Sequence, residues 1–371
     1  MKLGKEQNLA SSYLDAGPGS QKKALITGVI LTKHEFIVYR TIIFLLGMIV
    51  PVQLIGGKYA AEFLRIGVGA RALGMGGAFV AIADDGSASY WNPAGLGNLA
   101  RHQIHFSHVQ LFDNLAQHHF ANLSLKVTKR ITLGVSWIRL SVDDIPRYSA
   151  LEGTRYDRIL NPDLRSTGMP EGFFTDVENG WFLAFSRGFD FDLAIGGGLL
   201  PTIIPSRLCL GVSYKYISQK LDAAEGRGQG LDIGMMLKLS GPKMENGVSR
   251  RKFALGINFQ DVAGTTVVWN TIHHTRDRLP FNFLTGLSYS EWLPWLRGPL
   301  TLSFGRDNCY GTSNHWGGEF VFRNILSVRA GMKNNRFTAG AGLKIFGLGI
   351  DYAFVSYDLG NCHRISGIVE F

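Results

Sequence analysis

From about residue 100 to the C-terminus, apolar residues recur at every second position in segment after segment. In Leu300–Arg306, one face is Leu300, Leu302 and Phe304 and the other is Thr301, Ser303 and Gly305. The same split sets Phe337, Ala339, Ala341 and Leu343 against Thr338, Gly340, Gly342 and Lys344. It recurs with Leu231, Ile233, Met235 and Leu237 against Asp232, Gly234, Met236 and Lys238. A period of two is that of a β-strand with one apolar and one polar face. A soluble sandwich also alternates, so the polar face has to decide. Here it is rich in glycine and carries mid-strand charges: Lys215, Asp232, Glu319, Arg329 and Asp351. Membrane barrels turn apolar side chains to lipid and polar ones to the lumen. The expected fold class is therefore all-β, a transmembrane antiparallel β-barrel, with those five residues as lumen candidates.

Fifteen alternating segments can be found if Phe191–Leu199 is included, but an odd count cannot return the C-terminus to the periplasm. That segment ends in Leu199-Leu200-Pro201 and lacks clean alternation, so it is read as an insert in a periplasmic turn. About 14 strands remain. Loops 141–178 and 262–278 then fall outside the cell, Asn334-Asn335 makes a tight outer turn, and Arg323-Asn324 a tight inner one. A hairpin at Asn324 sets Glu319 opposite Arg329, where cross-strand pairing and charge selection in a pore are both open. The last strand alternates Ile365, Gly367, Val369 and Phe371 outward and ends on an aromatic, the kind of tag read by the barrel-assembly machinery.

Ahead of the alternating region, Lys33–Arg40 is basic, Thr41–Ile55 almost wholly apolar, and Gly56 and Gly57 follow: the layout of a cleaved signal peptide. Some 15 apolar residues reach about 22 Å as a helix, short of the roughly 30 Å hydrocarbon core. No cysteine ends the run, so no lipoprotein anchor is expected. Residues 1–32 form a polar lead that a signal does not need, and the expected start lies near Lys33.

Between signal and barrel runs Gly67-Val68-Gly69-Ala70-Arg71-Ala72-Leu73-Gly74-Met75-Gly76-Gly77, then Asp84-Asp85-Gly86-Ser87 and Trp91-Asn92-Pro93-Ala94-Gly95. Small residues let backbone pack on backbone. Asp84 or Asp85 suits a turn or helix cap, and Asn92-Pro93 an extended residue before a helix-compatible proline. A nucleotide-binding reading fails for want of a βαβ unit and a suitably placed acidic residue. This block resembles the opening of the PorV/PorQ family, related to FadL-type outer-membrane transport proteins. The likeness extends to Gly230-Leu231-Asp232-Ile233-Gly234, Asp351-Tyr352-Ala353-Phe354 and Gly360–Ser366. It implies a hatch over 58–100 that occludes a barrel over 101–371.

Composition trims the alternatives. Charged residues make up 18% of the chain, below the soluble average of about a quarter. The net charge of +9 is spread without a basic-aromatic patch, so no nucleic-acid partner is expected. Three cysteines (Cys209, Cys309, Cys362) are too few for a scaffold and lack zinc spacing. Cys309 and Cys362 fall in or beside outer loops, which leaves a disulfide between them open. His102, His105, His108, His118 and His119 invite a metal reading, but strand residues three apart face opposite sides. No catalytic set or phosphate loop is present, so neither enzymatic activity nor a cofactor is expected. Two functions remain. One is a channel for apolar small molecules such as fatty acids, touched by inward Ile138, Leu140, Met236, Leu284, Val321 and Val355. The other, implied by the PorV likeness, is a type IX secretion accessory that binds cargo or partner subunits. In either case outer-membrane lipid surrounds the wall.

Overall fold

The computed structural model describes residues 24–26, 29–31, 61–164, 168–195, 202–241, 249–272, 274–309, 311–357 and 360–371. The signal segment 33–57 and most of the lead lie outside the described residues. Fourteen antiparallel strands close into a barrel. They are β1 Gln103–Leu111, β2 Ala116–Lys126, β3 Ile131–Arg147, β4 Gly172–Ile195, β5 Thr202–Leu221, β6 Ala224–Ser240 and β7 Arg251–Gln260. The rest are β8 Asn282–Leu293, β9 Gly298–Asp307, β10 Ser313–Phe322, β11 Leu326–Lys333, β12 Arg336–Ile345, β13 Leu348–Tyr357 and β14 Gly360–Glu370. Each strand pairs with the next in sequence, and the ring is sealed by β14 against β1, with Glu370 opposite Gln103. Closure leaves no unpaired edge, the condition for strands to cross a membrane.

Alternation decides which way each side chain faces. Leu302, Trp316, Ile350 and Ile365 point outward and are more than half exposed, as are Phe106, Leu183, Val328 and Phe337. A belt of bare, large apolar side chains around the wall is the lipid-facing surface of a membrane barrel. The lumen candidates Lys215, Asp232, Glu319, Arg329 and Asp351 all point inward and are buried.

Three sequence expectations change. Of the segment Phe191–Leu199, Phe191–Ile195 is neither a separate strand nor a turn insert, since β4 runs on through it, and 196–199 lie outside the described residues. The long loop is shorter than 141–178, because β3 reaches Arg147 and β4 begins at Gly172 across a bulge between Val142 and Ile145. Beyond the bilayer a ladder needs no apolar face, so polar residues such as Asp143 and Asp176 hid these extensions from a periodicity reading. Within the expected loop 262–278, Thr266–Trp269 and Arg276–Arg278 pair as a hairpin, and Thr266–Trp269 adds to the end of β6. The two tight turns fall where expected. Asn334 and Asn335 both have positive φ in a two-residue loop between paired Lys333 and Arg336, the type I′ pattern.

Residues 1–53 with 191–206 form a separate compact unit, whose described parts are the antiparallel pair Ala24–Ile26 and Val29–Leu31 and the adjoining ends of β4 and β5.

Candidate functional site in the barrel lumen

The lumen is occupied by the chain's own residues 61–100. This segment holds a 3-10 turn Glu62–Arg65, a short helix α1 Ala70–Gly74, a single turn α2 Ala88–Trp91, and a 3-10 stretch Pro93–Asn98. α1 stops because Gly76 and Gly77 both take positive φ, with the Gly77 N–H donating to Ala72 O at 2.9 Å. Asn92 is extended ahead of Pro93, and its Oδ1 accepts from Ala94 N while its Nδ2 donates to Val80 O at 2.9 Å. Asn92 is thus both cap and internal tie.

The inward glycines of the wall are the seat of this segment. A Cβ at Gly256 would stand 2.3 Å from Val80 O, one at Gly211 2.2 Å from Ala94 N, and one at Gly331 2.3 Å from Gly76 N. Gly234 and Gly317 approach Asn92 and Met75 in the same way. The glycine-rich polar face is therefore a moulded contact surface.

Charge gathers on one side. Arg71 on α1 donates Nε and Nη2 to the two oxygens of Glu319 at 2.9 and 2.8 Å, and its Nη1 to Asp84 Oδ1 at 2.6 Å. Arg329 donates to Glu319 at 2.7 Å and to Asp351 at 2.6 Å. The register sets Glu319 directly opposite Arg329. Five groups thus form one chain of bidentate and shared contacts from the segment through β10 and β11 to β13. Burial opposes ionisation of Asp84, but Arg71 and Lys238 outweigh it and hold its carboxyl below the usual range. Across the barrel, Lys215 bridges Asp232 at 2.9 Å and Asp261 at 2.8 Å. The other ties are neutral or single. Arg364 Nη1 donates to Gly67 O at 3.0 Å, Ala70 N–H to Ser366 Oγ at 2.8 Å, and Trp91 Nε1 to Val68 O at 2.9 Å. His315 stands with Nδ1 2.7 Å from Gly76 O and Nε2 2.9 Å from Asp307, both acceptors.

Facing β2 to β6, Leu73, Trp91 and Leu96 pack in one cluster with Phe120, Ile138, Phe182, Ile217 and Met236. Single hydrogen bonds cross the same seam, from Lys126 Nζ to Leu99 O, Ser186 Oγ to Ala94 O, Arg207 Nη2 to Gly97 O and Asn92 Nδ2 to Met235 O. Two cavities flank the segment. One of about 430 Å³ opens at the rim carrying the C-terminus, between Arg71, Asp84, Val321, Lys344 and Glu370. The other, about 60 Å³, lies toward the far rim among Tyr90, Lys215, Asp261, Leu284 and Cys309.

Of the residues named from sequence, Gly74, Gly76, Arg71, Asp84 and Asn92 touch the wall or tie the segment, and Gly67 offers its carbonyl to Arg364. Gly95 packs inside the segment, where a Cβ would stand 2.2 Å from Ala83 O. Missed were Asp261, Arg364 and His315, which alternation marks as inward but nothing in the linear order pairs. Cys309 and Cys362 are free thiols. They belong to the end of β9 and the start of β14, five strands apart and about 24 Å along the wall at ordinary strand spacing, beyond any disulfide. His105 and His118 point into the wall-segment contact, whereas His108 and His119 face outward. Among the described residues no three metal-ligating side chains converge.

No protein-family model matches the chain, and no curated protein matches it in sequence. Solved structures similar to it include the toluene transporter TbuX of Ralstonia pickettii, at 12% identity over 82% of this chain and 97% of that one, with a TM-score of 0.39. The toluene transporter TodX of Pseudomonas putida gives 12%, 82%, 97% and 0.41. A Pseudomonas aeruginosa FadL homologue gives 10%, 81%, 98% and 0.38.

Proposed function

We propose that the protein is an outer-membrane transport barrel in which residues 61–100 act as a movable hatch, and that it passes small apolar molecules. The observation that carries this reading is the asymmetry of the seam. Ion pairs fasten the segment to Asp307 at the end of β9 and to Glu319 of β10, which Arg329 of β11 ties in turn to Asp351 of β13, while its contact with β2 to β6 rests on apolar packing and single hydrogen bonds. A hatch displaced from that side leaves Phe120, Ile138, Leu140 and Met236 lining a path, and the single hydrogen bonds given up there are weaker ties than the bidentate Arg71–Glu319 pair left in place. The C-terminal rim is then periplasmic, and export follows cleavage within 33–57. Purified barrels in liposomes should speed entry of a labelled long-chain fatty acid over that into protein-free liposomes and exclude a disaccharide of similar mass. Equal entry of both, or of neither, refutes the reading.

A second reading, an accessory of type IX protein export, draws on the likeness of 61–96 to the PorV/PorQ family. Crosslinking in the native outer membrane separates the two. Stoichiometric capture of a secretion subunit, with no fatty-acid entry, favours the accessory role.

A further inference from the structure

The outward face of β1 to β4 changes chemistry along the strand ladder. The row Val369, Ile104, Leu123, Val135, Leu183 is wholly apolar. Two residues farther from the C-terminal rim, the row is Phe106, Ala121, Trp137, Trp181, with the tryptophan rings 5.9 Å apart. Tryptophans of this kind mark the level where acyl chains give way to headgroups. The next outward row is His108, His119, Arg139, Asn179, each directly opposite the next.

That row is built for an anion. His108 and His119 meet Nδ1 to Nδ1 at 3.3 Å with ring centroids 4.7 Å apart, so each leaves its Nε2 free of this contact. Arg139 sits beside His119 and among the described residues has no carboxylate within ion-pair distance, and Asn179 accepts from Trp137 Nε1 at 3.1 Å, which pins its amide. No Asp or Glu occupies the outward positions of these four strands at the tryptophan, histidine or following row, whereas Arg71, Lys215 and Arg329 in the lumen are each matched by carboxylates. Directly opposed residues stand about 5 Å apart, so the three cationic or protonatable groups span about 10 Å, within reach of one phosphate ester and its neighbours. A guanidinium and imidazoles above a tryptophan girdle fit a phosphate, and in a wall that faces lipid the phosphate there is a headgroup's.

We propose that His108, His119 and Arg139 form a binding site for the phosphate of a phosphorylated membrane lipid in the leaflet at the far rim. The proposal rests on the membrane reading of the barrel, not on its cargo. The test uses the full chain purified in a neutral detergent, with barrel integrity followed by heat-dependent gel mobility. The probe is a bis-phosphorylated acylated glucosamine disaccharide, with its dephosphorylated form as control, and retention is read by native mass spectrometry. Wild type should retain the phosphorylated lipid, and R139Q with H108N and H119N should lose about tenfold in affinity, the worth of one charge-assisted hydrogen bond. L123A, on the same face but below the girdle, should retain it fully. Equal retention of both lipids, or retention untouched by the triple variant while its gel shift stays normal, overturns the site. A chain that never shows a heat-dependent shift or sits in the soluble fraction refutes the membrane reading instead.

Discussion

Replacing Gly256 by alanine isolates the close approach of the wall to the hatch. The φ of Gly256 is ordinary, so alanine is tolerated by the backbone, but its Cβ would stand 2.3 Å from Val80 O, 2.6 Å from Val80 C and 2.7 Å from Ala81 Cα. All three are backbone atoms with no rotamer to turn aside. The shortfall from ordinary contact is about 1 Å, and relieving it means moving the hatch or bending β7. Overpacking of that size costs about 1–3 kcal/mol. The ladder of β7 with β6 and β8 is untouched, so the cost falls on seating the hatch and not on the wall. Gly367→Ala is the matched control, since a Cβ there meets nothing within 4 Å. Hydrogen exchange of hatch amides 72–83 in the detergent-solubilised barrel reads the outcome. Exchange through local opening should speed up by about 5- to 150-fold in Gly256→Ala, the equivalent of that cost, and stay unchanged in Gly367→Ala. If both variants behave like wild type, or both loosen alike, the inward glycines are not a seat.

Glu319→Gln should loosen the hatch by about 1.5–3 kcal/mol, because it removes the carboxylate shared by Arg71 and Arg329 and leaves Arg71 with Asp84 and Arg329 with Asp351. A double-mutant cycle with Arg71→Met should then show strong coupling, and simple additivity would refute the shared network. Burial pushes the Cys309 thiol up to about 11, so it should react slowly with iodoacetamide at pH 8 in the folded barrel. All three cysteines should titrate as thiols after unfolding without reductant, and a count of one would restore the disulfide. The Asp84 carboxyl is held below its ordinary value in the folded state, so its link to Arg71 is fully present above about pH 4 and is lost as acid takes the pH through its folded value. Trp91 fluorescence should therefore stay constant from pH 7 to 5 and change only in stronger acid, moderated because Asp84 is part-exposed. Deleting Phe371 removes its N–H bond to His102 O and its stacking on the His102 ring, and should lower the yield of assembled barrel more than the stability of barrels that do assemble. Equal losses in both would argue against an assembly tag.

Alternation made the barrel legible because lipid and lumen impose a two-residue period wherever the wall meets the bilayer. Where β3 and β4 run on past it, at Asp143 and Asp176, the constraint lapses and so did the signal. Arg71 and Glu319 were each marked from their own neighbourhoods, yet 248 residues separate them and only the register brings them together. Glycine abundance was plain, but which backbone atom each glycine admits is a property of the closed ring. Asp261 lay hidden at the mouth of an expected loop, although its partner Lys215 was marked from the start.

Arg364 and Ser366, on β14, hold Gly67 and Ala70 near the beginning of the described lumenal segment. The same β14 also seals the ring against β1. β14 therefore completes two things at once, the wall and the seat of the lumenal segment, and a barrel without it is both open at the seam and without that segment fastened there. A barrel without β14 thus carries two exposed defects instead of one, an unpaired edge and an unfastened lumenal segment.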